Sequence, residues 1–126
     1  AQDRSRSLET RLGPAEHDDV VSLTSHLPQL ASTALAAALA KRLALEKYLQ
    51  VAGPGLMDTT RLALSSYDIW RDILATNSGP IERALDAYIS ELRELRAQIV
   101  DARMRREFEV AGDFAERLRR RGDENA

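Results

Sequence analysis

Six apolar residues in the second half of the chain recur at helical spacing: Ile81, Leu85, Tyr88, Leu92, Leu95 and Ile99. The intervals run four, three, four, three and four, which is the heptad pattern of a seam that packs along another helix. A strand cannot use it, because successive strand residues face opposite sides of a sheet. A single helix cannot bury its own seam, so the pattern requires helical partners. The rest of the chain agrees. Four prolines and six glycines in 126 residues are too few to punctuate a β-rich domain. Alanine, leucine, arginine and glutamate dominate, and these favour helix. The expected fold class is all-α, a helical bundle that dimerises.

Composition excludes several functions. Hydrophobic residues make up 44% and charged residues 30%, with a net charge of -2. That is ordinary for a folded globular domain and gives no global field for nucleic acid or membrane. Seven arginines lie between Arg103 and Arg121, yet from Glu91 to Ala126 nine acids match nine bases. They read as solvated helix faces, and no nucleic-acid partner is expected. Cysteine is absent, which excludes disulfides and thiolate metal sites. No apolar run approaches the ~20 residues of a membrane span, and the N-terminus lacks a signal-peptide core. A cytoplasmic location is expected.

Along the chain, residues 1–14 read as a linker or lead-in helix, 15–118 as the helical domain and 119–126 as a polar, frayed tail. Gly13-Pro14-Ala15-Glu16 is a helix start. Pro28 sits inside the helical pattern that follows and should kink or split it. An alanine-rich stretch runs to about Leu49 and ends before Gly53-Pro54-Gly55. Asp58-Thr59-Thr60 offers caps for a short helix to about Ser65, and Ser66 or Asp68 can start the next. Asn77-Ser78-Gly79-Pro80 is a stop and restart. Gly112 can separate a last short helix.

Two segments carry candidate chemistry. Asp18, Ser22, Ser25, His26 and Gln29 share one helix face, opposite the apolar residues. Such a stripe is commonly just solvated. Here it bears short hydrogen-bonding groups and an imidazole and ends at a proline, which suits a pocket wall. His17 lies nine residues before His26, about half a turn out of phase, so the two histidines cannot share a metal on that helix and no metal is expected. Gly53-x-Gly55 lacks the third glycine of a dinucleotide loop and follows a helical pattern, so no cofactor-binding residue is expected. Asp58 and Arg61, three apart, can form a surface ion pair. Alternatively, Arg61 is held ready for a substrate carboxylate, which a guanidinium grips with two parallel hydrogen bonds.

These segments resemble the prephenate and arogenate dehydrogenase family of tyrosine biosynthesis. Ser25-His26-Leu27-Pro28 matches the family's S-H-L-P-H up to its last position, where Gln29 stands. Gly53 to Arg61 resembles G-G-G-F-[RK]-D-x-T-R, with Met57 in place of the basic residue. Glu16-His17-Asp18, and Trp70-Arg71-Asp72-Ile73 followed by Asn77, resemble further family segments in the same order. The resemblance runs from about Glu16 to Phe114. It implies the C-terminal helical domain of an enzyme that oxidatively decarboxylates prephenate or arogenate with NAD or NADP. The catalytic histidine and the cofactor would belong to an N-terminal Rossmann domain of the same polypeptide. The helical domain would resemble the C-terminal domain of 6-phosphogluconate dehydrogenase and form an intertwined homodimer. By position, Arg61 would bind a substrate carboxylate, with His26 and Gln29 lining the pocket. Asp58 would join a charge network, Trp70 would stand near the entrance, and Ser25 and His17 would support the site. Gln29 and Met57 remove positive charge, which leans toward arogenate or dual use. This chain alone is expected to be inactive.

Two other readings compete. One makes the chain a non-catalytic dimerisation module built on the Ile81–Ile99 seam. The other makes it a small helical chorismate mutase, but that chemistry needs several cations around a dicarboxylate, and Lys41 and Lys47 are the only lysines.

Overall fold

The structure is a computed structural model that describes residues 12–43 and 46–125. All regular structure among them is helical. The elements are α1 (Pro14–Val21), a π-helical turn (Ser22–His26), α2 (Leu27–Arg42), a short α3 (Glu46–Leu49), α4 (Pro54–Thr60), a 3-10 turn (Arg61–Leu64), α5 (Tyr67–Thr76), α6 (Ser78–Ala97) and α7 (Arg103–Asn125). Packing divides the chain into Leu12–Leu85 and a second unit containing Asp86–Ala126, with the division inside α6. The lead-in expected over residues 1–14 lies mostly outside the described residues.

Local chemistry accounts for the boundaries. Extended Gly13 precedes Pro14 at the first position of α1, and its carbonyl accepts the His17 N–H at 2.8 Å. Extended Gly53 and Pro54 repeat the device at α4. That helix therefore begins at Pro54, ahead of the expected Asp58 cap. Thr59 and Thr60 fall in its last turn, where their hydroxyls donate back to the carbonyls of Gly55 and Leu56. The Ser66 hydroxyl caps α5 by accepting the Asp68 N–H at 3.1 Å. Asn77 closes α5, and its carbonyl receives the Ile81 N–H as α6 begins.

Two expectations are corrected, and the break expected at Pro28 takes a particular form. Pro28 occupies an early position of α2 and follows a π-helical turn, in which the Leu27 N–H bonds to Ser22 five residues back. A proline has no N–H for the carbonyl four residues back and its ring crowds that carbonyl. The wide turn just upstream relieves the crowding, and the backbone stays right-handed through it. The alanine-rich stretch is not one helix to Leu49: Leu43 leaves helical geometry at φ -106 and ψ 68, ending α2. Gly112 interrupts nothing, and α7 passes through it and through the polar residues after Arg119 to Asn125.

Burial inverts the amphipathic expectation. Among the described residues the buried hydrophobic side chains are Ile81 and Ala84, whereas Ser22, His26, Gln29 and Ser32 are all buried. Val20, Leu23 and Leu35 face outward. Ser22, His26 and Gln29 keep the shared face that their spacing predicts, while Ser25 is exposed and Ser32 joins the buried series.

Candidate functional site

The polar side of α2 packs against α4 and the 3-10 turn within the first unit, and the π turn before it meets α5 through His26. Ser22 is completely buried, and its Oγ lies 3.3 Å from Nδ1 of His26, one turn on. The His26 ring meets the half-buried Trp70 of α5 edge to face, with centroids 5.8 Å apart and planes at 89°. This is a favourable aromatic geometry, and it holds the imidazole between α2 and α5.

Further along α2, two buried polar side chains grip the segment that carries Arg61. The Gln29 amide nitrogen donates to the Leu62 carbonyl at 2.8 Å and to the Thr33 hydroxyl at 3.2 Å. Ser32 donates to the Thr59 carbonyl at 2.8 Å. These carbonyls lie where α4 tightens into the 3-10 turn, and a helix end leaves carbonyls without intrahelical partners. In this partly buried setting α2 supplies donors to them. Arg61 lies between the two gripped positions, exposed on a turn whose backbone is clasped on both sides.

The structure brings together His26, Gln29 and Trp70, and it pins the turn of Arg61 to the same helix. It does not form the Asp58–Arg61 ion pair that their spacing allows: the Arg61 N–H bonds to the Asp58 carbonyl, but neither side chain has an ion pair or hydrogen bond among the described residues. Thr60 at φ -100 and ψ 0 begins the 3-10 geometry between them. Asp58 and Ser25 are exposed. His17 is half-buried, 3.9 Å from its neighbour Asp18. Ser32 was not legible as a site residue from sequence. Its only signal is that it continues the polar series Ser22, His26, Gln29 through an alanine-rich stretch.

Other charged groups lie elsewhere. Arg83 at the start of α6 pairs with Asp19 of α1 at 2.8 Å, on the surface. In the second unit, Glu91, Glu94 and Glu107 bring carboxylate oxygens within 4.8 Å of one another. A hydrogen bond with Glu107, then repulsion from it, raises the Glu91 carboxyl above its ordinary range. Asp101 is held low by a hydrogen bond from the Arg103 side chain and then by the Arg103 N–H. No helix among the described residues is long and apolar enough to cross a membrane.

Known proteins resemble this chain over most of its length. Residues 13–116 match the family model described as prephenate dehydrogenase, dimerization domain. The chain is 33% identical over 111 residues to the prephenate dehydrogenase of Bacillus subtilis (strain 168), covering 85% of this chain and 30% of that protein. It is 31% identical over 85 residues to the cyclohexadienyl dehydrogenase of Zymomonas mobilis, covering 66% of this chain and 29% of that protein. The chain thus spans less than a third of the length of these relatives. A match over most of the chain, enclosing both sequence motifs and the clasped turn, places it in the prephenate dehydrogenase dimerization-domain family.

Proposed function

We propose that this chain is the helical part of a prephenate or arogenate dehydrogenase of the cytoplasm, and that it supplies the dimer interface and part of the substrate site. The observation that carries the reading is Arg61: an exposed guanidinium without a counter-ion among the described residues, on a turn clasped by Gln29 and Ser32. A cation held in place with its donors free is suited to a bidentate grip on a carboxylate. Partial removal of a dianionic substrate from water requires such a partner.

The other residues follow from their positions. His26 and Trp70 form a semi-rigid wall, and the Asp58 carboxylate, with no partner among the described residues, can join the charge network of the assembled site. Ser25 and His17 support the rim. Both amide protons of Gln29 are used within the chain, so toward a ligand it can offer only its oxygen. An acceptor suits the ammonium of arogenate better than a further carboxylate, which agrees with Met57 standing where the family often has a cation.

The enzyme's nicotinamide cofactor would accept hydride during oxidative decarboxylation. The described residues do not fit it: Gly53-x-Gly55 opens a seven-residue helix rather than a strand–loop–helix turn. The cofactor is therefore assigned to another domain, and Arg61, His26 and Gln29 serve substrate binding alone. Catalysis by this chain in isolation is not expected.

The test is Arg61→Ala in the full-length dehydrogenase carrying this domain. KM for prephenate or arogenate should rise roughly ten- to a hundredfold, the effect of losing a charge-assisted contact of ~1.5–3 kcal/mol. Arg61→Lys should recover part of it. An unchanged KM would leave the domain as a dimerisation module without a substrate role.

A further inference from the structure

We infer that Ser22 is a positioning residue that fixes the tautomer of His26, making Nε2 a hydrogen-bond donor toward an oxygen of the anionic substrate. The inference rests on the proposed placement of His26 in the substrate site, and it adds what the imidazole does there.

The physical reason starts from a single proton. Ser22 is 0% exposed, so water cannot serve its hydroxyl. Its Oγ has one hydrogen-bond partner among the described residues, Nδ1 of His26 at 3.3 Å. A hydroxyl carries one donor proton and a neutral imidazole carries one N–H. If Nδ1 bore the ring proton, Oγ would accept it and the hydroxyl proton would be buried without an acceptor. If Nδ1 is bare, the hydroxyl donates to it and both groups are satisfied. Buried polar groups strongly favour the satisfied arrangement. The ring proton then resides on Nε2. The π turn from Ser22 to His26 holds the two residues in this relation, and Trp70 packed against the ring opposes a flip that would set a carbon against Oγ. His26 therefore presents a donor to a carboxylate or hydroxyl oxygen, and its Nδ1 is not free to act as a base.

Imidazole nitrogen NMR on the chain labelled with 15N-histidine tests the first step. His17 and His26 are the only histidines, so assignment is simple and His17 reports on fold integrity. At alkaline pH, where imidazoles are neutral, His26 should show a bare Nδ1 and a protonated Nε2. Ser22→Ala should move both His26 signals toward tautomer averaging while those of His17 stay in place. A protonated Nδ1 in the wild type, or an unchanged tautomer in Ser22→Ala, overturns the inference. The second step is tested in the full-length dehydrogenase. The glutamine amide of His26→Gln can place an N–H near Nε2, whereas the asparagine amide of His26→Asn reaches only the Nδ1 position. His26→Gln should retain about tenfold more kcat/KM than His26→Asn, the effect of one hydrogen bond. Equal activity, with the tautomer as expected, removes His26 from the substrate site and the positioning role with it, while leaving the Arg61 reading to its own test.

Discussion

Gln29 and Ser32 are buried with their donors spent on the Leu62 and Thr59 carbonyls. Leu62 also accepts the Ser65 N–H at 3.1 Å, so losing Gln29 weakens its carbonyl's bonding without orphaning it. Gln29→Leu should therefore cost about 1–2 kcal/mol, and Ser32→Ala a similar amount. The double variant should fall short of the sum, because both donors secure one turn. Chemical denaturation of the three variants checks this. The same reasoning separates Arg61 from a stability role. Its side chain has no partner among the described residues, so Arg61→Ala should leave the melting temperature unchanged while KM rises. A drop in melting temperature with an unchanged KM would reverse the assignment.

The start of α7 is held by a side chain outside it. Asp101 accepts the Arg103 N–H at 2.8 Å and pairs with the Arg103 guanidinium at 3.1 Å. The sequence places Asp101 on a solvated face, where substitution is usually silent; the structure makes it a helix cap. Asp101→Ala should therefore lower the melting temperature at neutral pH. Because its folded pKa is depressed, the stabilisation is present above the unfolded value and fades as pH falls through the folded one. The Asp101→Ala and wild-type curves should thus converge in acid. Glu91 behaves in the opposite sense. Its pKa is raised by Glu107 and Glu94, so the folded chain loses stability as pH rises from the ordinary carboxylate value through the raised one. Glu91→Gln should raise the melting temperature at neutral pH and have less effect in acid. Melting curves across pH distinguish the two residues.

At the level of the whole chain, the apolar side of the helices lacks cover. Leu92, central to the heptad seam, is 47% exposed, and Phe108 on α7 is 73% exposed. In the second unit Leu95, Phe108, Val110 and Ala115 line a groove of about 580 Å³. Apolar exposure of this extent marks an interaction surface. Leu92→Asp should therefore act through assembly more than through the fold of one copy. Sedimentation should find the wild type dimeric at tens of micromolar and the variant shifted toward monomer with its helical signal retained. A variant that loses its helix together with its partner would place Leu92 in a core that forms only on dimerisation.

The periodicity of residues 81–99, the prolines and glycines at 13–14 and 53–54, and the Ser66 cap made the helical class and most element boundaries legible in the sequence. Each depends on interactions within a few residues, where spacing and side-chain type suffice. The two motifs likewise carried the family and the candidate residues His26, Gln29 and Arg61, and the segment from Trp70 to Ile73 added Trp70. Which way those residues face was decided elsewhere. The fold leaves Ser25 exposed, buries Ser32, and sets Gln29 and Ser32 against the carbonyls of Leu62 and Thr59. The side chains of Asp58 and Arg61 stay unpaired although their spacing allows an ion pair. Those outcomes depend on hydrogen-bond demand between segments about 30 residues apart, which no local pattern records.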